Sequence, residues 1–105
     1  MVRDEVYVQH MLDAIDAIAS FLDGVDQQRF SEDILIQSGV IRQIEIIGEA
    51  ARNCSMGFRS QHDDIPWQDI IGMRNKLIHE YFGVDLGAVW KTATEDVPQL
   101  KRQLL

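Results

Sequence analysis

The feature that most constrains this chain is the spacing of its apolar residues, which recur at intervals of three and four positions along almost its whole length. This spacing places apolar side chains on one face of an α-helix, whereas a half-buried strand alternates apolar and polar residues. No stretch of four or more residues alternates in that way between turn signals. The sequence therefore predicts an all-α fold in which amphipathic helices bury their apolar faces against one another.

The pattern predicts an antiparallel bundle of four main helices and a short C-terminal helical turn. Gly24 is expected to stop the first helix, Ser31 with Glu32 and Asp33 to form the N-terminus of the second, and Pro66 to precede the third. The stretches between the helices are predicted to be a polar linker and a loop, and Pro98 is expected to separate the fourth helix from the final turn. The predicted helices run from about Asp4 to Leu22, from about Glu32 to Met56, from about Trp67 to Tyr81, and from Asp85 onward.

The second predicted helix carries two features besides its apolar face. Gly48, Ala50 and Ala51 are small enough for another helix to approach closely there. A charged stripe runs along the same helix at helical spacing and consists of Ser38, Arg42, Glu45, Glu49 and Arg52.

Length and composition limit the possible classes of protein. We expect the 105 residues to form a single domain, residues 1–105, because 46% hydrophobic and 26% charged residues are typical of a folded chain. A net charge of −7 argues against nucleic-acid binding through bulk electrostatics, so any RNA would need a local cationic pocket. No apolar run reaches the roughly 20 residues of a membrane span, and acidic residues interrupt the N-terminal apolar pattern. We therefore expect a cytoplasmic protein that contacts no membrane.

Cysteine and histidine usage gives little sign of metal chemistry. The one cysteine, Cys54, has no partner for an internal disulfide and is expected to be a small packing residue. His10 and His62 lack any partner pattern typical of zinc ligands, so both are interpreted as surface or capping residues. Trp67 and Trp90 are expected to anchor the core.

The stretch GMRNKLIHEYFGVD, residues 72–85, raises the question of function. On a helical wheel Arg74 falls in the middle of the apolar arc of the third helix, and Asn75 and His79 line up beside it as an i, i+4 pair. A buried guanidinium needs a partner, and Glu45 or Glu49 of the charged stripe could supply a structural ion pair. Spacing alone leaves that interpretation open.

A catalytic interpretation of the same residues is also open. Histidine can exchange a proton near neutral pH, and the planar fork of arginine fits phosphate oxygens. His79 and Arg74 near one phosphodiester could therefore cleave RNA without a metal, His79 moving a proton and Arg74 stabilising the phosphorane. A two-fold dimer would add a second histidine and a second arginine.

The sequence resembles HEPN domains, specifically the HepT toxin group. Arg74, four intervening positions, His79, one position and Tyr81 match the R-x4-H-x-Y signature of that group. The similarity also extends over RDEVYVQHMLDAIDAIASFL, GVIRQIEIIGEAAR, IPWQDIIGMRNKLIHEYFGVDLGAVW and DVPQLKRQL, in that order. The resemblance implies an antiparallel helical bundle that forms a homodimer, with the motif helices of both protomers lining a shared cleft.

The resemblance also implies an activity and a partner. Arg74 and His79 would be the catalytic pair of a metal-independent endoribonuclease without cofactors, and Asn75 would orient the pair or the phosphate. Attack by the 2′-hydroxyl would leave a 2′,3′-cyclic phosphate and a 5′-hydroxyl. The protein would be the toxin of a type VII-like HepT/MntA toxin–antitoxin system. Its partner would be an MntA-type nucleotidyltransferase antitoxin that transfers AMP to Tyr81.

Two other functions stay open from the sequence. The chain could be a catalytically silent helical adaptor that binds a nucleotidyltransferase, with Arg74 serving only in an ion pair. It could also be a nucleotide-binding regulatory subunit.

Overall fold

The computed structural model describes residues 3–79 and 83–105, together with the side chain of each of these residues except His79. This part of the chain contains only helices and their connections. In chain order they are α1 (Arg3–Phe21), α2 (Gln27–Glu32), α3 (Ile34–Asn53), α4 (Met56–Gln61), α5 (Trp67–His79), α6 (Leu86–Lys91), a π-helical turn (Thr92–Asp96) and α7 (Val97–Leu104). The predicted all-α fold class is confirmed.

The two longest helices, α1 and α3, form an antiparallel pair at the centre of the fold. Asp4 near the start of α1 contacts Ser55 just beyond the end of α3. Phe21 at the other end of α1 lies against Gly39 near the start of α3. Helix α5 packs on α3, and α7 packs on α1, so each helix of the central pair carries one further helix.

The apolar faces of these helices meet in one continuous core. Burying a large apolar side chain stabilises the fold by about 1.5–3 kcal/mol relative to leaving it in water. Trp67 is buried as expected, and Trp90 packs against the core through Phe30. The largest fully buried side chains are Phe30, Met11, Ile18, Ile65, Val40 and Val89.

Helix α3 begins about two residues later than predicted, at the end of the stretch 31–33 in which its N-terminus was expected. Ser31 lies inside α2, where its hydroxyl donates to the carbonyl of Gln28, and Asp33 is the residue that caps α3. Oδ1 of Asp33 accepts a hydrogen bond of 3.1 Å from the backbone N–H of Ile36. The predicted polar linker therefore contains the short helix α2. The buried side chain of Phe30 packs this helix against the core.

The predicted loop between the second and third helices also contains a short helix, α4. The Ser55 hydroxyl caps it by accepting a hydrogen bond from the backbone N–H of Phe58. His62 follows as the C-cap residue of α4, which confirms its interpretation as a capping residue. Its ring also stacks on that of Phe58, with 4.2 Å between the ring centroids.

The predicted division near Pro98 is present, since a π-helical turn separates α6 from α7 just before this residue. Pro98 lies in the first turn of α7, where its missing N–H is tolerated, and the chain stays helical from α6 to α7. The π-helical turn lies directly before α7, and its backbone is wound more widely than that of an α-helix. We attribute the wider turn to the proline ring, which cannot sit against the carbonyl four residues earlier in a regular α-helix.

Helices that could cross a membrane would combine length with a strongly apolar sequence. Within residues 3–79 and 83–105, no helix has both properties.

Candidate functional site

Helix α5 carries the candidate residues and approaches α3 very closely at one point. Gly48 of α3 lies directly under the side chain of Arg74. A Cβ atom added at Gly48 would lie 2.8 Å from Cγ of Arg74 and 3.2 Å from the carbonyl oxygen of Ile70. The missing side chain at Gly48 is therefore what lets the base of Arg74 rest on α3, as the small residues of that helix predicted.

Arg74 is held by two polar neighbours. Its Nη2 forms an ion pair of 2.9 Å with Oε2 of Glu49, and its Nη1 donates a hydrogen bond of 2.9 Å to Oδ1 of Asn75. The side chain of Arg74 is 22% exposed and that of Glu49 is 50% exposed. The pair is thus partly desolvated on the arginine side and open to solvent on the glutamate side.

The predicted ion-pair interpretation is confirmed for Glu49. Glu45 instead pairs with Arg42, one turn earlier on the same helix, with 3.6 Å between Oε1 of Glu45 and Nη1 of Arg42. The two guanidinium groups on this side of the molecule are therefore each matched with a glutamate of α3.

One donor of Arg74 has no partner among the described residues. Its Nε is buried and makes no hydrogen bond there.

The remaining motif residues are only partly described. Asn75 is exposed and lies beside Arg74. His79 is the last residue of α5, but its side chain lies outside the described part, as does Tyr81. The alignment of Asn75 with His79 and the position of the Tyr81 hydroxyl stay predictions.

A surface depression of about 320 Å³ lies in front of Arg74. Residues of three helices surround it: one from α1, two from α5 and the rest from α3. Together they are His10, Arg42, Glu45, Ile46, Glu49, Ala50, Arg74 and Ile78. An imidazole, two guanidinium groups and two carboxylates therefore share one small concave surface.

Comparison with known proteins identifies the family. The family model described as ribonuclease HepT-like matches residues 11–105. The chain belongs to the HepT-like ribonuclease family. The predicted resemblance to the HepT group is thereby confirmed, and so is the expectation that the chain is a ribonuclease at the level of its family.

Individual relatives agree with the HepT-like family. A protein of Thermococcus cleftensis named as a probable ribonuclease HepT is 44% identical over 95 residues, which are 90% of this chain and 86% of that protein. A protein of Caldanaerobacter subterraneus named as a candidate RNase is 38% identical over 98 residues, 93% of this chain and 88% of that protein.

One relative is much longer than this chain. A protein of Methanocaldococcus jannaschii, named as a gamma-glutamylcyclotransferase and candidate RNase, is 41% identical over 101 residues. The match covers 96% of this chain but 46% of that protein. No solved structure matches.

Two residues of the depression were missed or undervalued by sequence reasoning about this HepT-like chain. His10 is exposed, which confirms its interpretation as a surface residue, and it also lines the depression together with Arg74. It lies on a different helix, so no wheel drawn for one helix could have placed it there. Arg42 did give a signal, because it belongs to the same charged stripe as Glu49.

No group of three or more His, Cys, Asp or Glu side chains in residues 3–79 and 83–105 is arranged so that it could hold a metal ion.

Proposed function

We propose that this chain is a metal-independent endoribonuclease toxin whose cleavage step depends on Arg74 and His79. The observation that carries the proposal is the position of Arg74, whose half-buried guanidinium borders a concave surface on the motif helix of a HepT-like ribonuclease domain. Such a guanidinium is a preorganised donor for a phosphodiester, because its forked N–H groups match phosphate oxygens.

The reaction needs only the substrate's own nucleophile and the two side chains. The 2′-hydroxyl of RNA attacks the adjacent phosphorus and loses its proton to the imidazole of His79. Arg74 stabilises the charge that develops on the phosphorane oxygens. The bond between phosphorus and the 5′-oxygen then breaks, and that oxygen takes up a proton from an imidazolium. The products are a 2′,3′-cyclic phosphate and a 5′-hydroxyl.

A phosphate that binds Arg74 must compete with the ion pair between Arg74 and Glu49. An arginine has five N–H donors, and Glu49 and Asn75 engage one nitrogen each, so the second N–H of each Nη group can still reach an anion. Glu49 is half exposed and can turn into solvent at little desolvation cost. Asn75 would keep the guanidinium plane oriented during this exchange.

The cleavage experiment uses a single-stranded RNA with EDTA present. The unmodified protein should cut it, and a substrate with a 2′-deoxyribose at the scissile position should survive. Arg74→Ala and His79→Ala should each lower the rate by about 10²-fold or more, because each removes a group that acts on the transition state. Arg102→Ala, which removes an exposed arginine at the end of α7, is the matched control and should cut normally.

Folding must be separated from chemistry in this experiment. Circular dichroism and thermal unfolding of each variant show whether the bundle is retained. Glu49→Gln is the informative companion, since it breaks the ion pair but leaves the guanidinium in place and should keep substantial cleavage. Full cleavage by a folded Arg74→Ala variant, or dependence of the wild-type rate on a divalent metal, would refute the proposal.

The cleft is proposed to be shared by two protomers of a homodimer. Light scattering after size exclusion should give the mass of a dimer. Mixing the Arg74→Ala and His79→Ala chains under conditions of subunit exchange should restore part of the activity if one protomer supplies the arginine and the other the histidine. A wild-type dimer whose mixed variants stay inactive would place both groups of each site in one chain.

Silencing is proposed to occur through Tyr81 by a nucleotidyltransferase antitoxin of the MntA type, with both proteins acting in the cytoplasm. An adenylate attached there would bring a negative charge toward Arg74 and compete with RNA for it. Incubation with such an enzyme and ATP should add the mass of AMP and abolish cleavage. Tyr81→Phe should prevent both effects while leaving RNA cleavage intact.

The silent adaptor is the second candidate, and the ion pair of Arg74 with Glu49 is the observation that favours it. An adaptor predicts no cleavage by the unmodified dimer and equal binding of a nucleotidyltransferase by wild type and His79→Ala.

A further inference from the structure

A second concave surface lies between α5 and α7, away from Arg74. It encloses about 370 Å³. Its floor is formed by Ile44 and Ile47 of α3, and its walls include Met73 of α5 and Leu100 of α7. Helix α5 packs on α3 whereas α7 packs on α1, so the groove is the space left between the two outer helices. One end is closed where Nε2 of Gln103 donates to the carbonyl oxygen of Asp64 at 2.8 Å.

The rim of this groove is acidic. Asp64, Asp69 and Asp96 all border it and all are exposed. The ion pairs of the described residues involve other carboxylates, and no described lysine or arginine lies within ion-pair distance of these three. The groove therefore combines an apolar floor with uncompensated negative charge at its edge.

Charge decides which occupant fits. Pairing of this groove with the same groove of a second copy would bring six carboxylates together in a chain of net charge −7. RNA and anionic membranes carry the same sign as the rim and are likewise disfavoured. A segment that presents apolar side chains between lysines or arginines is complementary both to the apolar floor and to the acidic rim.

We propose that the groove between α5 and α7 is a docking site for a basic amphipathic segment of another protein. Apolar anchors of the segment contact the floor and walls, and its cations pair with the aspartates of the rim. No residue is shared between this groove and the depression at Arg74, so a docked partner leaves the guanidinium uncovered. The proposal does not depend on nuclease activity.

The test uses a synthetic 18-residue peptide of leucine and lysine in helical register, and the same peptide with glutamate in place of lysine. Isothermal titration should show one site for the lysine peptide and none for the glutamate peptide. Methyl NMR should place the shifts at Met73, Ile70 and Leu100 rather than at Ile46 and Ile78 of the Arg74 depression.

Charge variants make the test specific. Asp69→Asn combined with Asp96→Asn should weaken binding of the lysine peptide by about 2- to 30-fold, the effect of two partly exposed ion pairs. The matched control combines Glu5→Gln with Asp23→Asn, which removes the same charge from exposed sites on α1 and just after it. Met73→Lys should also abolish binding. Should that variant unfold, the two aspartate substitutions still decide the question.

Several results would overturn the proposal. They are absence of binding by the wild-type chain, equal binding of the glutamate peptide, equal weakening in the control variant, or shifts centred on the Arg74 depression. Self-association of the wild-type chain that shifts the same groove methyls without peptide would instead assign the groove to a second copy.

Discussion

Gly48→Ala is the substitution whose effect the structure defines most sharply. An alanine normally stabilises a helix interior by about 0.5–1 kcal/mol relative to glycine. Here the new Cβ would meet Cβ and Cγ of Arg74 and the backbone oxygen of Ile70, and of these the Arg74 Cβ and the backbone oxygen are fixed by the backbone and cannot rotate away. Overpacking of this kind costs about 1–3 kcal/mol, and the rigid contacts favour the upper half of that range. We expect a net loss of about 1–2 kcal/mol in the free energy of unfolding.

That loss corresponds to a fall in Tm of roughly 4–15 °C for a domain of this size. Thermal unfolding followed by circular dichroism at one fixed protein concentration measures it. Gly72→Ala is the matched control, because Gly72 lies in α5 and a Cβ there would have nothing within 4 Å. The control should be neutral or stabilised. A Gly48→Ala protein at least as stable as wild type, or equal shifts in both variants, would refute the close-approach argument.

Two further predictions concern ionisable groups. Hydrogen bonds from the backbone N–H and the hydroxyl of Ser55 hold the pKa of Asp4 below its ordinary 3.8, and the backbone N–H of Ile36 does the same for the pKa of Asp33. The unfolded chain therefore takes up protons first, so this stabilisation is present above about pH 4 and is lost as the pH falls further. Between about pH 5 and 2, the Tm of the variant that combines Asp4→Asn with Asp33→Asn should fall less steeply than the Tm of the wild type. The same dependence of Tm on pH in both proteins would contradict this prediction. Burial raises the pKa of the Cys54 thiol to about 11, so the native thiol should resist an aromatic disulfide reagent near pH 8 and react after unfolding; rapid reaction of the native protein would count against it.

The parts of the fold that follow from helical periodicity were predictable. Residues such as Met11, Ile15 and Ile18 recur at the spacing of one helix face, and that face is buried. Cys54 is buried as the small packing residue expected from its isolation. The closeness of α3 and α5 was also foreseeable, because Gly48 and Ala51 leave room for another helix. These features depend on local spacing, which a sequence displays directly.

The parts that were missed depend on contacts between distant segments or on competition between neighbouring caps. Ser31 and Asp33 are both good N-cap residues, and because Ser31 lies within α2, Asp33 is the one that caps α3. The presence of His10 beside Arg74 needs the packing of α1 on α3. Neither outcome is encoded in the spacing within one helix.

The two interpretations of Arg74 that the sequence left open are compatible in the structure. Glu49 compensates the guanidinium while no substrate is bound, and it does so from a half-exposed position that contributes at most about 1 kcal/mol of pairing. A phosphate offers the same charge sign and the same forked acceptor geometry, with additional oxygens for the donors that Glu49 leaves free. Under the proposed function, the same residue would hold α5 to α3 in the free protein and bind a phosphodiester when Glu49 moves aside. The exposure of Glu49 is the feature that favours a replaceable partner, because a half-exposed carboxylate can leave the guanidinium at little desolvation cost.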